Sequence, residues 1–164
     1  MNLKITNTKT LITFGLVCLT LFAVVLAHNL SAPKKVAQSI AGIIYKKKVV
    51  TISNKPFTLD VSDTDNLREL GLSYRTSLAP YTGMLFVFDQ PAVNPFWMKG
   101  MNFPIDIIWL DENKTVVHIE GRLDPSTYPR EFGPNTPTQW VIELPSGAAE
   151  SLKLSVGDKL SFDN

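Results

Sequence analysis

The order of apolar and polar positions divides the chain into an apolar N-terminal stretch and a longer part with the periodicity of β-strands. Residues 11–27 are nearly all apolar, and a short basic stretch with Lys4 and Lys9 precedes them. From Val49 onward, short runs of β-branched and aromatic residues alternate with turn clusters, which is typical of strands. Over 57–61, apolar and polar residues alternate as in a strand with one buried face. The pattern predicts a mainly β domain preceded by an N-terminal hydrophobic helix.

About seven runs are predicted as strands, with two short helical pieces among them. The strands are Val49–Ile52, Phe57–Val61, Met84–Phe88, Ile105–Leu110, Thr115–Glu120, Trp140–Leu144 and Lys159–Phe162. One helical piece is capped by Asp63 or Asp65 and ends at Gly71, and the other covers Ala148–Leu152. The polar loop 111–114 predicts a hairpin between the fourth and fifth strands. A small closed sandwich or barrel would bury the apolar faces of these strands.

The N-terminal stretch has the order of a signal peptide or a membrane anchor, with basic residues before an apolar core. Its seventeen apolar-run residues would rise roughly 26 Å as a helix, against the ~30 Å of a hydrocarbon core. The small residues before His28 also permit cleavage there. We therefore expect a protein anchored in the cell membrane and facing the periplasm, or a periplasmic or secreted protein after cleavage. The predicted segments are a signal peptide or anchor over 1–27, a linker over 28–48 and the β domain over 49–164.

Composition narrows the possible partners and cofactors. The net charge is +1 and no basic run is interleaved with aromatic residues, which argues against nucleic-acid binding. Cys18 is the single cysteine, so an intrachain disulfide is excluded. The two histidines, His28 and His118, are too few for a metal site built from histidine and cysteine. We expect a monomer without a metal or another cofactor.

Several stretches together resemble the domain-of-unknown-function 192 family. The tryptophan-methionine-lysine stretch, followed by proline-x-aspartate, is the most specific of them. The stretches are Gly71-Leu72-Ser73-Tyr74-Arg75, Gly83-Met84-Leu85-Phe86-Val87-Phe88, Phe96-Trp97-Met98-Lys99, Pro104-Ile105-Asp106-Ile107-Ile108 and Val141-Ile142-Glu143-Leu144-Pro145 with Gly147. The resemblance implies a small, mostly β fold, often behind a signal sequence, and it implies no assigned activity.

The chain departs from the family pattern at two places. Many members have asparagine-threonine after the lysine, whereas Gly100-Met101 follow here. Many members also have a pair of cysteines in the long loop after the hairpin, whereas 122–137 contains none. A thiol or metal role is therefore not carried over from the family to this chain.

Asp106 is the most informative candidate residue. On a strand it shares a face with Ile108 and Leu110, and the opposite face is apolar too, so the carboxylate is predicted to be at least partly buried. A buried carboxylate must find a partner or take up a proton. We expect an ion pair with Lys99 or Arg75. This pair could preorganise the carboxylate for ligand binding or acid-base chemistry. Alternatively, it could be structural and anchor the loop 96–104.

Four further residues are candidates for a ligand site near Asp106. Arg75 could bind a carboxylate or phosphate with its planar fork, or form a salt bridge to Asp106 or Glu143. Lys99 follows Trp97 in the aromatic loop 96–104, where its stem could instead simply cover apolar surface. Tyr128 lies in the proline-rich segment 122–137, which is too long to be a simple turn. The predicted site lies between this loop and this segment.

Three functions remain open from the sequence. In the first, the domain binds a small polar ligand, such as an envelope glycan or peptide, through Asp106, Lys99, Arg75, Trp97 and Tyr128. In the second, it is a membrane-tethered accessory domain that docks a partner protein. In the third, it is a hydrolase or lyase in which Asp106 works with a second carboxylate, Asp111 or Glu143.

Overall fold

The computed structural model describes residues 43–162, which form a mainly β domain with two short helices. The predicted N-terminal hydrophobic helix and most of the predicted linker lie outside these residues. Within the described range, no helix has the length and apolar character needed to cross a bilayer. The strands are β1 Lys47–Ile52, β2 Lys55–Ser62, β3 Thr82–Ala92, β4 Phe96–Trp97, β5 Ile105–Leu110, β6 Val116–Leu123, β7 Glu131–Phe132, β8 Thr138–Pro145 and β9 Ser161–Phe162. The helices are α1 Asp65–Leu70 and α2 Ala148–Ser151, with a 3-10 turn at Pro125–Thr127.

Seven strands form one curled sheet, a half-barrel, in the order β6-β5-β8-β3-β2-β1-β9. The pairing is antiparallel throughout, except between β2 and β3, which are parallel and connected through α1. The mainly β prediction is confirmed, but the predicted closed sandwich or barrel is only partly formed. Because β9 has two residues, it offers few backbone groups for closure. The two sheet edges meet through a single bridge between Thr115 and Lys159.

All seven predicted strand regions are present, and two short strands are additional. These are β4 and β7, which pair through Phe96 with Phe132 and Trp97 with Glu131. The predicted hairpin between β5 and β6 is confirmed, and Asp111 holds its turn by accepting two backbone N–H groups at 2.8 Å. A two-residue strand has no periodicity, and so these two were predicted as loops.

Helix α1 ends as predicted but begins with a different cap. Gly71 ends the helix with a φ of 52°, and its N–H donates to the carbonyl of Leu67 at 2.9 Å. The predicted caps were Asp63 or Asp65, whereas the Thr64 hydroxyl accepts the capping hydrogen bond from the Leu67 N–H. Asp63 is held instead by Lys46, at 2.7 Å. Asp65 is the first helical residue, where its negative charge interacts favourably with the positive end of the helix dipole.

The sheet is buried on both faces, which explains why all six residues of β5 are buried. One face, here called the α2 face, packs against α2 and the C-terminal segment. The other, here called the loop face, packs against three elements: the segment after α1, the loop that follows β4, and strand β7. The α2 face carries Leu59, Leu85, Ile108, Ile142 and Leu144, and the loop face carries Met84, Phe86, Ile107, Trp109 and Val141.

Two carboxylates occupy neighbouring strands near the middle of this sheet. Asp106 lies opposite Leu144, whereas Glu143 lies opposite Ile107 on β5 and Met84 on β3. Residues directly opposite each other share a face, and successive residues alternate. Asp106 therefore points to the α2 face and Glu143 to the loop face.

Candidate functional site

Asp106 is buried, as predicted, but it is held by backbone amides rather than by a cation. Its side chain is 1% exposed. Its Oδ1 accepts from the N–H groups of Arg122 and Gly147, and its Oδ2 accepts from that of Ala149, each at 2.8 Å. The expected ion pair with Lys99 or Arg75 is wrong, because the turn before α2 and the end of β6 supply enough donors. Charge-assisted bonds of this kind stabilise a buried carboxylate well.

Arg75 is committed to a different carboxylate. Its guanidinium donates to Oδ2 of Asp60 at 2.8 Å and lies 5.3 Å from the ring centroid of Tyr45. Asp60 is buried and also binds Lys47. Arg75 therefore pairs with Asp60 rather than with Asp106 or Glu143, in a partly exposed ion network on the loop face, and its charge also acts on Glu143.

Three of the predicted site residues do lie together. The rings of Trp97 and Tyr128 meet edge to face with centroids 5.8 Å apart, and both side chains are nearly half exposed. The Lys99 ammonium lies 5.2 Å from the Trp97 ring centroid. The pairing of β4 with β7 brings the two predicted segments side by side. The structure thus joins Trp97, Tyr128 and Lys99 on the loop face and leaves Asp106 on the opposite face.

A cleft of about 210 Å³ opens beside these residues, between α1, the outer part of β3 and the loop after β4. We call it the Glu143 cleft, after the only carboxylate of its lining that lies in the sheet. Charged and polar side chains line it together with aromatic ones. The lining consists of Arg68, Glu69, Leu70, Gly71, Leu72, Ser73, Phe86, Phe88, Asn94, Pro95, Phe96, Trp97, Lys99, Met101 and Glu143.

Glu143 is a buried carboxyl group without a hydrogen-bond partner. The residue is 5% exposed, and its Oε2 contacts no donor or acceptor among the described residues. Its sheet neighbours Met84 and Ile107 are apolar. Burial raises the pKa of Glu143 from 4.5 to about 8, although the nearby Arg75 guanidinium opposes this rise. At pH 7 the group is therefore predominantly a neutral carboxylic acid, which can both donate and accept a hydrogen bond.

The aromatic wall of the cleft is continuous with the core. Phe96 packs edge to face against Phe86 at 4.8 Å and against Trp109 at 5.9 Å between ring centroids. The indole N–H of Trp109 donates to the carbonyl of Asn94 at 2.9 Å, at the point where the chain enters the loop. These contacts hold the wall in one position.

The loop after β4 is fastened to the segment after α1. The Ser73 hydroxyl donates to the carbonyl of Lys99 at 3.0 Å, and the Tyr74 N–H donates to that of Gly100 at 3.1 Å. The Asn102 amide donates to the carbonyl of Arg75 at 2.9 Å. Gly100 has a φ of 70°, and a side chain there would meet the Ser73 hydroxyl at 3.0 Å. The cleft is therefore preformed, and the glycine that departs from the family pattern suits this close approach.

The residues around Glu143 in the sequence indicate that its side chain is buried. Val141, Ile142 and Leu144 are apolar on both faces of β8, so Glu143 had no solvated face to occupy. By contrast, neither Arg68 nor Asn94 carried a local signal, because the cleft brings them together only through the tertiary fold.

The described residues do not bring Asp106 together with Asp111 or Glu143, the carboxylate pairs predicted for an enzyme. Asp106 and Glu143 lie on opposite faces of the sheet, and Asp111 is occupied in the turn of the hairpin. Between residues 43 and 162, no three His, Cys, Asp or Glu side chains lie close enough together to hold a metal ion.

The fold and the cleft define the class of the protein: a small half-barrel β domain with a preformed, aromatic-walled cleft on one face. The chain belongs to the domain-of-unknown-function 192 (DUF192) family, whose model, described as an uncharacterized ACR, matches residues 48–162. The resemblance predicted from the sequence is thus confirmed.

Relatives of known sequence or structure agree with this assignment. A UPF0127 protein of Pyrococcus furiosus is 30% identical over 116 residues, which cover 66% of this chain and 91% of that protein. The crystal structure of a proposed transcription regulator from Sinorhizobium meliloti has a TM-score of 0.69 at 29% identity, covering 73% of this chain and 96% of that one. A protein of unknown function from Novosphingobium aromaticivorans has a TM-score of 0.65 at 27% identity, covering 74% and 88%.

Proposed function

We propose that this protein is an exported or membrane-anchored domain that binds a small polar ligand in the Glu143 cleft. The observation that carries the proposal is the unpartnered carboxyl group of Glu143 in the cleft lining. An unsatisfied buried polar group costs about 1–3 kcal/mol, and nearly all such groups in native proteins have a partner. A ligand that supplied the missing hydrogen bond would recover this cost on binding.

The dimensions of the cleft favour a small ligand, or one unit of a larger molecule. Its volume of about 210 Å³ is below the roughly 300 Å³ at which pockets for drug-sized ligands begin. Trp97 is 44% exposed at this cleft and offers an aromatic surface for the flat side of a ligand. One sugar or one amino acid of an envelope glycan or peptide has this size and combines polar groups with an apolar side.

The location is part of the proposal and rests on the N-terminal sequence. Lys4 and Lys9 precede the apolar run 11–27, in the order found in signal peptides and anchors. In this arrangement the membrane is the partner of the N-terminal helix, and the β domain faces the periplasm.

Chemical-shift mapping of the full chain in detergent tests the binding site. Titration with short envelope glycan and peptide fragments is expected to shift resonances of Trp97, Lys99 and Glu143. The Glu143→Leu variant removes the carboxyl group and should weaken binding, whereas Glu112→Gln, at an exposed turn position, should not. Shifts confined to the surroundings of Asp106 on the α2 face would refute the site.

A further inference from the structure

Two cations, Arg68 and Lys99, line the Glu143 cleft, and the lining holds one carboxylate besides Glu143, that of Glu69. Arg68 pairs with Asp65 at 2.6 Å, and the Lys99 ammonium lies 4.0 Å from the Glu69 carboxylate. Arg75 and Lys47 share Asp60, and these three residues lie outside the lining. While Glu143 is neutral, the lining thus carries more cations than carboxylates, which favours an anionic ligand.

Lys99 is the cation of the cleft lining with the weaker carboxylate partner. Lys99 is about half exposed, and its ammonium is 4.0 Å from the still more exposed Glu69 carboxylate, which is the longest of these contacts. Exposed pairs of this kind contribute little, and the flexible lysine stem can turn toward a stronger partner. Arg68 is held more firmly, because it also donates to the carbonyl of Val87 at 2.6 Å. A ligand carboxylate would thus compete for Lys99 with a weak, solvated partner.

Two aromatic rings of the lining already have a cation beside them. The Arg68 guanidinium lies 5.3 Å from the ring centroid of Phe88, and the Lys99 ammonium lies 5.2 Å from that of Trp97. A cationic ligand at either ring would be repelled by the cation already there. The cleft is therefore better suited to an anion than to an amine.

We infer that the ligand of the Glu143 cleft is a small monoanion whose carboxylate accepts a hydrogen bond from the Glu143 carboxyl group and is attracted by Lys99. The inference rests on the proposed function and narrows its ligand to one chemical class. A neutral carboxyl group has one O–H donor, and a ligand carboxylate offers the acceptor that Glu143 lacks. The pair shares one proton, so it carries a single negative charge, which Lys99 attracts.

Matched probes of different charge test the inference on the full chain in detergent. Benzoate, benzamide and benzylammonium differ mainly in charge, and acetate, acetamide and methylammonium form a second, smaller set. At about pH 6.5, the carboxylate of each set is expected to bind at least about tenfold more tightly than its neutral and cationic analogues. The measurement is a titration of the Trp97 and Lys99 resonances.

The pH dependence tests the role of Glu143 itself. Affinity for the carboxylate probes should fall at least about tenfold toward pH 9.5, because an ionised Glu143 repels the ligand. In Glu143→Gln the amide remains a neutral donor, so binding should persist and lose this decline. Lys99→Ala should weaken binding at every pH, while Lys99→Arg, which keeps the charge, should restore it. Other charged groups on the elements of this face include Arg68, Arg75, Lys47, Asp60, Asp65, Glu69, Arg130 and Glu131.

Two more comparisons identify the molecule that carries the carboxylate. N-acetyl-alanylalanine against its C-terminal amide tests a peptide end, and glucuronate against glucose tests an acidic sugar. In each pair the acid is expected to bind and the neutral form to bind weakly.

The possible results separate the inference from the proposed function. Equal or tighter binding of the amides or amines in the cleft overturns the inference and leaves the proposed function intact. Binding of neutral glycan fragments in the cleft without binding of any carboxylate would also overturn the inference and leave the proposed function intact. If no probe or fragment shifts the cleft resonances, both proposals are overturned.

Discussion

At the scale of single residues, Glu143 and Asp106 are two buried carboxylates with similar sequence neighbours but different hydrogen bonding. Both lie in strands with apolar neighbours on each side. Asp106 receives three N–H donors, and Glu143 receives none for its Oε2. The first is satisfied by the protein itself, whereas the second has no hydrogen-bond partner among the described residues.

The free energy of unfolding should depend on pH through Glu143. Its pKa is about 8 in the folded chain against 4.5 ordinarily, so the unfolded chain loses this proton first as pH rises. The contribution of Glu143 to the free energy of unfolding is greatest below about pH 4.5, decreases between pH 4.5 and about 8, and is constant above that pH. Glu143→Gln removes this dependence, so relative to wild type it should gain on the order of 3 kcal/mol between pH 4.5 and 7.

Urea denaturation followed by circular dichroism at several pH values measures this difference. Glu112→Gln is the control, because its exposed carboxylate should leave the slope of stability against pH unchanged. If the Glu143→Gln variant follows the wild-type slope through this range, Glu143 is already ionised at neutral pH.

At the scale of elements, the sequence predicted the strands better than the connections between them. The seven longer strands were found because apolar periodicity and turn clusters are local properties. The burial of Asp106 followed from the same pattern, as both faces of its strand are apolar. Its partner did not, because the amides of Gly147 and Ala149 arrive from about forty residues away in the chain. The cleft was missed for a related reason: it forms where three separate connections pack together.

Asp106 is predicted to hold three elements in place, namely β5, the end of β6 and the start of α2. In Asp106→Asn one side-chain atom becomes a donor and faces at least one backbone donor, so a hydrogen bond is lost and a donor is stranded. The expected loss is about 3 kcal/mol in the free energy of unfolding, with hydrogen exchange accelerated at Gly147 and Ala149.

Chemical denaturation and amide exchange measure these two effects, and Asp111→Asn provides a comparison. Asp111 accepts two backbone N–H groups in one local turn, so its replacement should accelerate exchange only around the hairpin. A variant at Asp106 that is as stable as wild type would show that the three bonds contribute little.

At the scale of the whole molecule, the half-barrel of the described residues closes only at the bridge between Thr115 and Lys159, beside the two-residue strand β9. The sequence predicted the mainly β class, since the number of strands and their apolar faces were evident. It did not predict the degree of closure, which depends on strand curvature and on the pairing of residues far apart in the chain.

Export is predicted for the molecule as a whole. A reporter that is active only in the periplasm, fused after Lys48, should be active because the basic and apolar residues of 1–27 have the order of a signal peptide or membrane anchor. Replacing the apolar run by a polar sequence of equal length should abolish the activity. A fusion that is silent in the periplasm while a cytosolic reporter at the same position is active would contradict export.

The position of β8 in the sheet has a consequence for how the chain acquires its structure. β8 lies between β3 and β5, although it follows both in the chain. Until Thr138–Pro145 has emerged during synthesis, β3 lacks one of its two neighbouring strands and the hairpin of β5 and β6 has no sheet to join. A nascent chain of this protein therefore exposes apolar edges until late in its synthesis, and assembly depends on contacts between distant residues, which slows folding. Slow assembly of this kind is what the proposed export requires, since a translocation channel accepts the chain before the sheet has formed.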